Sequence, residues 1–220
     1  MVTGPRPRRP QVSALRVDHV IYAVEDLEQA AATIAEDHGL ASVPGGEHPA
    51  WGTENRIIPL GDEYLELVTL SDPAVAGGSG FGRAVAAALD SGGGLLGWAV
   101  ATDDLDDVVR RLGLPVEQGS RTRPDGTTLS WRLAGVSEAL QTGALPFFIE
   151  WTCPPDLHPG RASAEHRVRP GRIAWLELRG DEESLSGWLG DADLPLRVTA
   201  GPPAVAALAI GTDGPDIVLR

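Results

Sequence analysis

The sequence contains one cysteine, Cys153, and no lysine among its 220 residues. A single cysteine excludes disulfides within the chain, CxxC redox chemistry and cysteine-rich zinc sites. The absence of lysine excludes a Schiff-base lysine and a P-loop nucleotide site, because both depend on that side chain. No apolar run approaches the roughly 20 residues that a membrane-spanning helix needs, and no signal-peptide pattern follows the basic N-terminus. We therefore expect a soluble, cytoplasmic protein that does not bind membranes.

Positive charge is also scarce, since 18 arginines stand against 31 acidic residues and give a formal net charge of −13. Proteins bind nucleic acids mainly by neutralising phosphates, so this balance argues against a nucleic-acid partner. It is compatible with a small neutral or cationic ligand. The hydrophobic content of 42% is enough to bury a core in one domain or two small ones.

Strand and helix patterns recur along the chain in the order β-α-β-β-β. A β-branched strand from Leu15 to Val24 precedes a helix that Asp26 caps, and three short strands follow it up to Leu70. The same order begins again at Leu95 and a third time at Arg172. Two sets of markers recur at intervals of 77 to 80 residues, namely His19, Trp98 and Trp175 in the strands and Leu27, Leu105 and Leu185 in the helices.

This repeat predicts the domain organisation. Residues 15–160 form one domain of two βαβββ modules, at 15–72 and 93–153. Residues 171–220 form a third unit of the same order that packs on this domain, and residues 1–14 form a flexible arm. Because such units usually pair, an odd number of three units is compatible with a homodimer in which the third units of two chains pair.

Tandem modules with a histidine in the first strand and a glutamate in the last resemble the vicinal oxygen chelate superfamily, and more closely its glyoxalase-like domain proteins. The segments that carry the resemblance are DHVIYAVEDL (18–27), GGEHPAWGTENRIIPLG (45–61), YLELV (64–68), GWAVATDDL (97–105), RPDGTTLSWRLAG (123–135) and LPFFIEW (145–151). The resemblance implies an α+β fold in which the two modules form curved mixed sheets around a cup, with the third unit as a degenerate copy. It does not imply one reaction, because the superfamily contains isomerases, dioxygenases, lyases and simple binding proteins.

The resemblance also implies metal ligands in the first and last strands of each module, at the positions of His19, Glu66, Trp98 and Glu150. Tryptophan cannot bind a metal, so His19, Glu66 and Glu150 remain as the set for one divalent ion such as Zn, Mn, Ni or Fe(II). The ion would polarise two vicinal oxygens of a substrate. Without a metal, the same residues would form a hydrogen-bonded cluster or bind the amine of a ligand.

A polar loop between two strands, residues 45–56, is the second candidate for the site. His48 could act as a general acid or base near neutral pH, with Glu150 as a second catalytic group. Asn55 and Arg56 could orient a carbonyl or carboxylate, while Trp51 either contacts the ligand or fills the loop. The remaining substrate-binding candidates are Trp98 and Trp131, as further aromatic walls, and His158, as a lid residue.

Three functions follow from these residues. The leading prediction is a metal-dependent lyase, isomerase or dioxygenase that acts on a small oxygenated metabolite. The first alternative is a non-catalytic protein that binds a cationic or aromatic drug or metabolite. The second is a metal-free enzyme in which His48 or His19 acts as the base.

Overall fold

A computed structural model describes residues 15–123 and 125–220, so the arm predicted for residues 1–14 lies outside the described residues. Eight strands form a closed barrel in the order β1-β4-β3-β2-β6-β7-β8-β5. Their bounds are β1 Arg16–Ala23, β2 Val43–His48, β3 Thr53–Pro59, β4 Tyr64–Leu70, β5 Gly94–Ala101, β6 Val116–Thr122, β7 Thr128–Ala134 and β8 Phe147–Trp151.

Helices connect and cover these strands, at α1 Leu27–His38, α2 Pro73–Gly78, α3 Gly80–Asp90, α4 Leu105–Leu112 and α5 Val136–Thr142. The capping predicted for α1 is present, since the Asp26 side chain accepts a hydrogen bond from the Gln29 N–H and Gly39 ends the helix with a φ of 72°. Within the described residues, none of the helices has the length and apolar character needed to cross a membrane.

The barrel consists of two modules with the same pairing. In each module the first strand is parallel to the last, β1 to β4 and β5 to β8. The modules join where β1 and β5 pair antiparallel and where β2 pairs with β6. This arrangement confirms the predicted α+β fold of tandem βαβββ modules with curved mixed sheets, and the curvature closes into a barrel.

The third unit contains β9 Pro170–Arg179, α6 Glu182–Leu189, β10 Leu196–Thr199, β11 Ala204–Thr212 and β12 Ile217–Leu219. Its element order is the predicted one, but its pairing differs from that of the modules. Strand β9 lies between β10 and β11, whereas β1 and β5 lie beside the fourth strand of their modules. The third unit is therefore a separate sheet, whose residues Leu176 and Leu208 share a core with Trp98 and Val100 on the outer face of the barrel.

Candidate functional site

A narrow cavity lies inside the barrel. Its volume is about 480 Å³, including the part that opens to solvent. Aromatic side chains form much of the wall, including Trp51, Phe81, Trp131, Phe147 and Trp151. The polar side chains that reach the cavity are His19, His48, Asn55, Glu66 and Arg121.

The buried side chain of Asp18 binds His19, the first of these polar groups. The register of β1 against β5 shifts between Val17 and His19, so Asp18 is the extra residue of a bulge and departs from the strand alternation. Asp18 Oδ1 lies 2.6 Å from Nδ1 of His19. Burial alone would raise the pKa of Asp18, but hydrogen bonds from His158 and His19 outweigh burial and hold that pKa well below its usual range.

The contact with Asp18 determines what His19 offers to the cavity. In a neutral imidazole, Nδ1 donates its hydrogen to the carboxylate and Nε2 keeps its lone pair. Nε2 of His19 lies 3.6 Å from Oε2 of Glu66, which also carries lone pairs. Two acceptors at this separation do not hydrogen-bond to each other. Both lone pairs are therefore available to accept hydrogens from the donor groups of a ligand.

Glu66 is oriented by a second chain of hydrogen bonds. Asn55 donates from Nδ2 to Oε1 of Glu66, and Nη1 of Arg121 donates to Oδ1 of Asn55 at 2.9 Å. Arg121 is only 4% exposed, and this burial lowers its pKa, while the negative charge of Glu66 opposes the shift. The cavity therefore contains a fixed positive charge close to the carboxylate.

His48 lies at the aromatic wall. Its Nδ1 is 3.1 Å from Oγ1 of Thr53, and its ring contacts those of Trp51 and Trp131 at centroid distances of 5.2 and 6.2 Å. Burial lowers the pKa of His48 to about 4, although the charge of Glu66 opposes the shift. His48 is therefore uncharged at neutral pH and is suited to hydrogen bonding.

The comparisons with known proteins agree with this architecture. A family model described as a glyoxalase-like domain matches residues 17–192. The chain belongs to this family. The match extends past the predicted domain end at residue 160 into the third unit.

Several solved structures match the chain at low sequence identity. A hypothetical protein from Staphylococcus aureus is 16% identical, with a TM-score of 0.67 over 87% of this chain and 88% of that chain. A methylmalonyl-CoA epimerase from Mycobacterium tuberculosis is 16% identical, with a TM-score of 0.45 over 67% of this chain and 95% of that chain. A Streptomyces coelicolor methylmalonyl-CoA epimerase variant is 18% identical, with a TM-score of 0.45 over 64% of this chain and all of that chain. No curated protein matches the sequence.

Two residues predicted for the site of this glyoxalase-like domain lie on the outer face of the barrel. Ala99 lies opposite His19 in the pairing of β1 with β5, and Trp98 points outward, where its Nε1 donates to the carbonyl of Ala144 at 2.8 Å. Glu150 is also outside, and its Oε2 accepts from Arg132 at 2.8 Å. The interpretation of Trp98 and Glu150 as cavity residues is therefore corrected, because a one-residue offset in a strand reverses the face.

Two further candidates also lie away from the cavity. Arg56 donates to Ser42 Oγ at 2.9 Å and pairs with Glu28, so it faces α1 rather than the ligand space. His158 contacts Asp18 from the outer side, with Nε2 at 3.1 Å from Oδ2. Neither residue lines the cavity, so the structure does not bring Arg56 and His158 together with the other predicted substrate contacts.

The structure brings six predicted residues together at the cavity: His19, His48, Trp51, Asn55, Glu66 and Trp131. The sequence reasoning missed Asp18, Arg121 and Trp151. A signal existed for Trp151, because Phe147, Ile149 and Trp151 form an apolar face of β8. No sequence signal distinguished Arg121, since β6 is a mostly exposed strand of mixed polar residues.

The donor set differs from the predicted metal site. His19 and Glu66 supply two donors, and the third predicted ligand, Glu150, is bound to Arg132 on the other face. The second module has Ala99 and Ile149 at the positions that correspond by pairing to His19 and Glu66. Across residues 15–123 and 125–220, no three His, Cys, Asp or Glu side chains converge as a metal-binding group. The residues present do not fit the three-ligand site that catalytic metals usually occupy.

Proposed function

We propose that this glyoxalase-like protein is an enzyme that isomerises a small molecule with a hydroxyl beside a carbonyl, by proton transfer inside the barrel. The observation that carries the proposal is the pair of facing acceptors, Nε2 of His19 and Oε2 of Glu66, 3.6 Å apart at the cavity. A carboxylate and an imidazole at one reacting centre supply general acid–base catalysis.

Three side chains at the cavity can each take one role in this reaction. The Glu66 carboxylate removes the proton from the carbon that bears the hydroxyl, and His19 Nε2 takes the hydroxyl proton. The electron pair of the C–H bond forms a carbon–carbon double bond, and the π pair of the carbonyl moves onto its oxygen, where the charge of Arg121 stabilises the oxyanion. Return of the two protons to the former carbonyl carbon and its oxygen completes the isomerisation and restores both residues.

The cavity limits the substrate to a small molecule. Its volume of about 480 Å³ lies toward the lower end of the range for small-molecule sites and suits a small compound rather than a large ligand. The aromatic walls favour a planar group, and their exclusion of water strengthens electrostatic interactions inside.

Proton exchange with solvent tests this proposal. We expect the protein to exchange the C–H hydrogens of hydroxyacetone or 2-hydroxyacetophenone in D₂O, measured as loss of their ¹H NMR signals. Glu66→Gln should lower the rate at least about 100-fold, because general acid–base groups contribute that much. Glu150→Gln makes the same chemical change on the outer face and should retain the rate.

Two outcomes would contradict the proposal: no exchange above buffer with either compound, or equal exchange by Glu66→Gln. The measurement is repeated after EDTA treatment and after addition of Zn²⁺. Exchange that EDTA abolishes and Zn²⁺ restores would favour the metal-dependent reaction predicted from the sequence.

The aromatic walls support one alternative, a protein that binds a cationic aromatic molecule without reaction. Trp131 contacts Trp51 and Trp151 at centroid distances of 6.4 and 5.3 Å, and Glu66 supplies a negative charge beside this wall. Rings in such an arrangement attract quaternary ammonium groups. Saturable quenching of tryptophan fluorescence by phenyltrimethylammonium, without proton exchange on the carbonyl compounds, would favour this function.

A further inference from the structure

The segment that follows β8 reaches back to the barrel and contacts Asp18 from outside. His158 donates from Nε2 to Oδ2 of Asp18 at 3.1 Å. Its other ring nitrogen, Nδ1, accepts a hydrogen bond from the Gly160 N–H at 3.1 Å. These two bonds fix both the tautomer and the orientation of the His158 ring.

A second donor approaches the same oxygen of Asp18. Nε1 of Trp151 lies 2.9 Å from Oδ2, and an indole nitrogen can only donate. Oδ2 thus receives two hydrogen bonds, while Oδ1 is left to accept from His19. The two oxygens of Asp18 therefore have different and fixed partners.

The main chain around His158 is held firmly. The Gly61 N–H donates to the carbonyl of Gly160 at 2.9 Å. A side chain at position 160 would collide with the carbonyl oxygens of Gly61 and Glu63. The glycine thus allows the segment to lie directly against the turn between β3 and β4, which places His158 beside Asp18.

We propose that His158 and Trp151 are positioning residues, which orient the Asp18 carboxylate so that His19 holds its proton on Nδ1 and presents Nε2 to the substrate. The proposal extends the function given above to a chain segment outside the cavity, and rests on it for the role of Nε2. A carboxylate that fixes the tautomer of a working histidine is a general device, whose loss weakens activity.

The substitution Asp18→Asn gives a specific test, because an amide has one acceptor and one donor end. The two donors, His158 and Trp151, require the Asn oxygen at the Oδ2 position. The amide NH₂ then faces Nδ1 of His19, which must become an acceptor, and the imidazole proton must move to Nε2. If His158 and Trp151 do not orient residue 18, the amide can turn over and the tautomer stays unchanged.

The tautomer is read from long-range ¹H–¹⁵N spectra of ¹⁵N-histidine-labelled protein near neutral pH, with His19 assigned by the loss of its signals in His19→Gln. We expect the Nδ1–H tautomer in the wild type and the Nε2–H tautomer in Asp18→Asn. The Nδ1–H tautomer in Asp18→Asn would overturn the proposal. The readout needs no substrate, so it stands apart from the proton-exchange test of the function.

A change at His158 itself supplies the second test. His158→Phe removes the donor but keeps a ring beside Trp151, and His158→Gln keeps a donor. We expect the Nδ1–H of His19 to exchange with solvent about tenfold faster in His158→Phe, with rescue in His158→Gln, and the carbonyl-exchange kcat to fall by a similar factor at unchanged KM. An unchanged Nδ1–H exchange rate in folded His158→Phe would overturn the role of His158.

Discussion

The two cavity histidines have different surroundings, and this difference separates their roles. His19 has a carboxylate, Asp18, on one nitrogen and faces Glu66 with the other. His48 has the Thr53 hydroxyl on Nδ1 and aromatic rings around it. A buried imidazole without a bound carboxylate resists protonation. The proposed proton transfer is therefore assigned to His19, and His48 is left as an uncharged hydrogen-bonding group.

The lowered pKa of His48 predicts acid sensitivity of the fold. Its pKa is about 4 in the folded protein, against 6.5 for an ordinary histidine. Between these values the unfolded chain binds more protons than the folded one, so stability falls as the pH decreases from about 6.5 to about 4. The expected loss from this group is about 3 kcal/mol.

Urea unfolding at several pH values measures this loss. His48→Gln has no group to protonate there, and its free energy of unfolding should depend less steeply on pH in this window. The slope that remains would include His166, whose pKa is also lowered by burial. Parallel loss of stability in the wild type and His48→Gln would contradict the assignment.

At the scale of single strands, the sequence predicted which residues share a face but not always which face points inward. Tyr64, Glu66 and Val68 share a face of β4, as expected, and line the barrel interior. In β8 both faces are buried, with Ile149 inside and Phe148 outside under the third unit. The resemblance placed Glu150 in the site, and alternation alone could not correct this, because it cannot choose between two apolar faces.

Whether the sequence revealed a structural feature depended on whether that feature is local or requires pairing with a distant strand. The cap at Asp26 and the stop at Gly39 are local, so the sequence revealed α1 accurately. The bulge at Asp18 depends on pairing with a strand some 80 residues away. A sequence without its pairings cannot show such a bulge, and so Asp18 escaped prediction although it stands beside His19.

Strand β6 provides a prediction about the cavity wall. A side chain at Gly119 would overlap the indole of Trp131, so glycine leaves the space that this ring occupies. We expect Gly119→Ala to displace Trp131, to lower stability by about 1–3 kcal/mol and to change the near-UV circular dichroism of the tryptophans. Gly97→Ala in β5 is the matched control, since an added carbon there has no neighbour within 4 Å. Equal free energies of unfolding for the two variants would contradict this prediction, because the cavity wall would then accommodate the added carbon without loss of stability.

On the scale of the whole molecule, the third unit supports the barrel from outside. Its strand β11 lies against β5, and Leu208 and Ile210 are fully buried in a core shared with Trp98 and Val100. Glu63, in the turn before β4, accepts from Arg172 Nε at 3.0 Å and from the Ile173 N–H, which fastens the start of β9 to the barrel. These contacts join the third unit to the modules through both apolar packing and hydrogen bonds.

This shared core predicts that barrel and third unit unfold together. Leu208→Ala removes a fully buried side chain from β11 and should cost about 2–5 kcal/mol. Val75→Ala, at a side chain 39% exposed on α2, should change stability by less than about 0.5 kcal/mol. Because the damaged core belongs to both parts, circular dichroism and tryptophan fluorescence should report one coincident urea transition, shifted to lower urea in Leu208→Ala. If only one probe shifts, or if two separate transitions emerge, the third unit folds independently and the barrel does not depend on it.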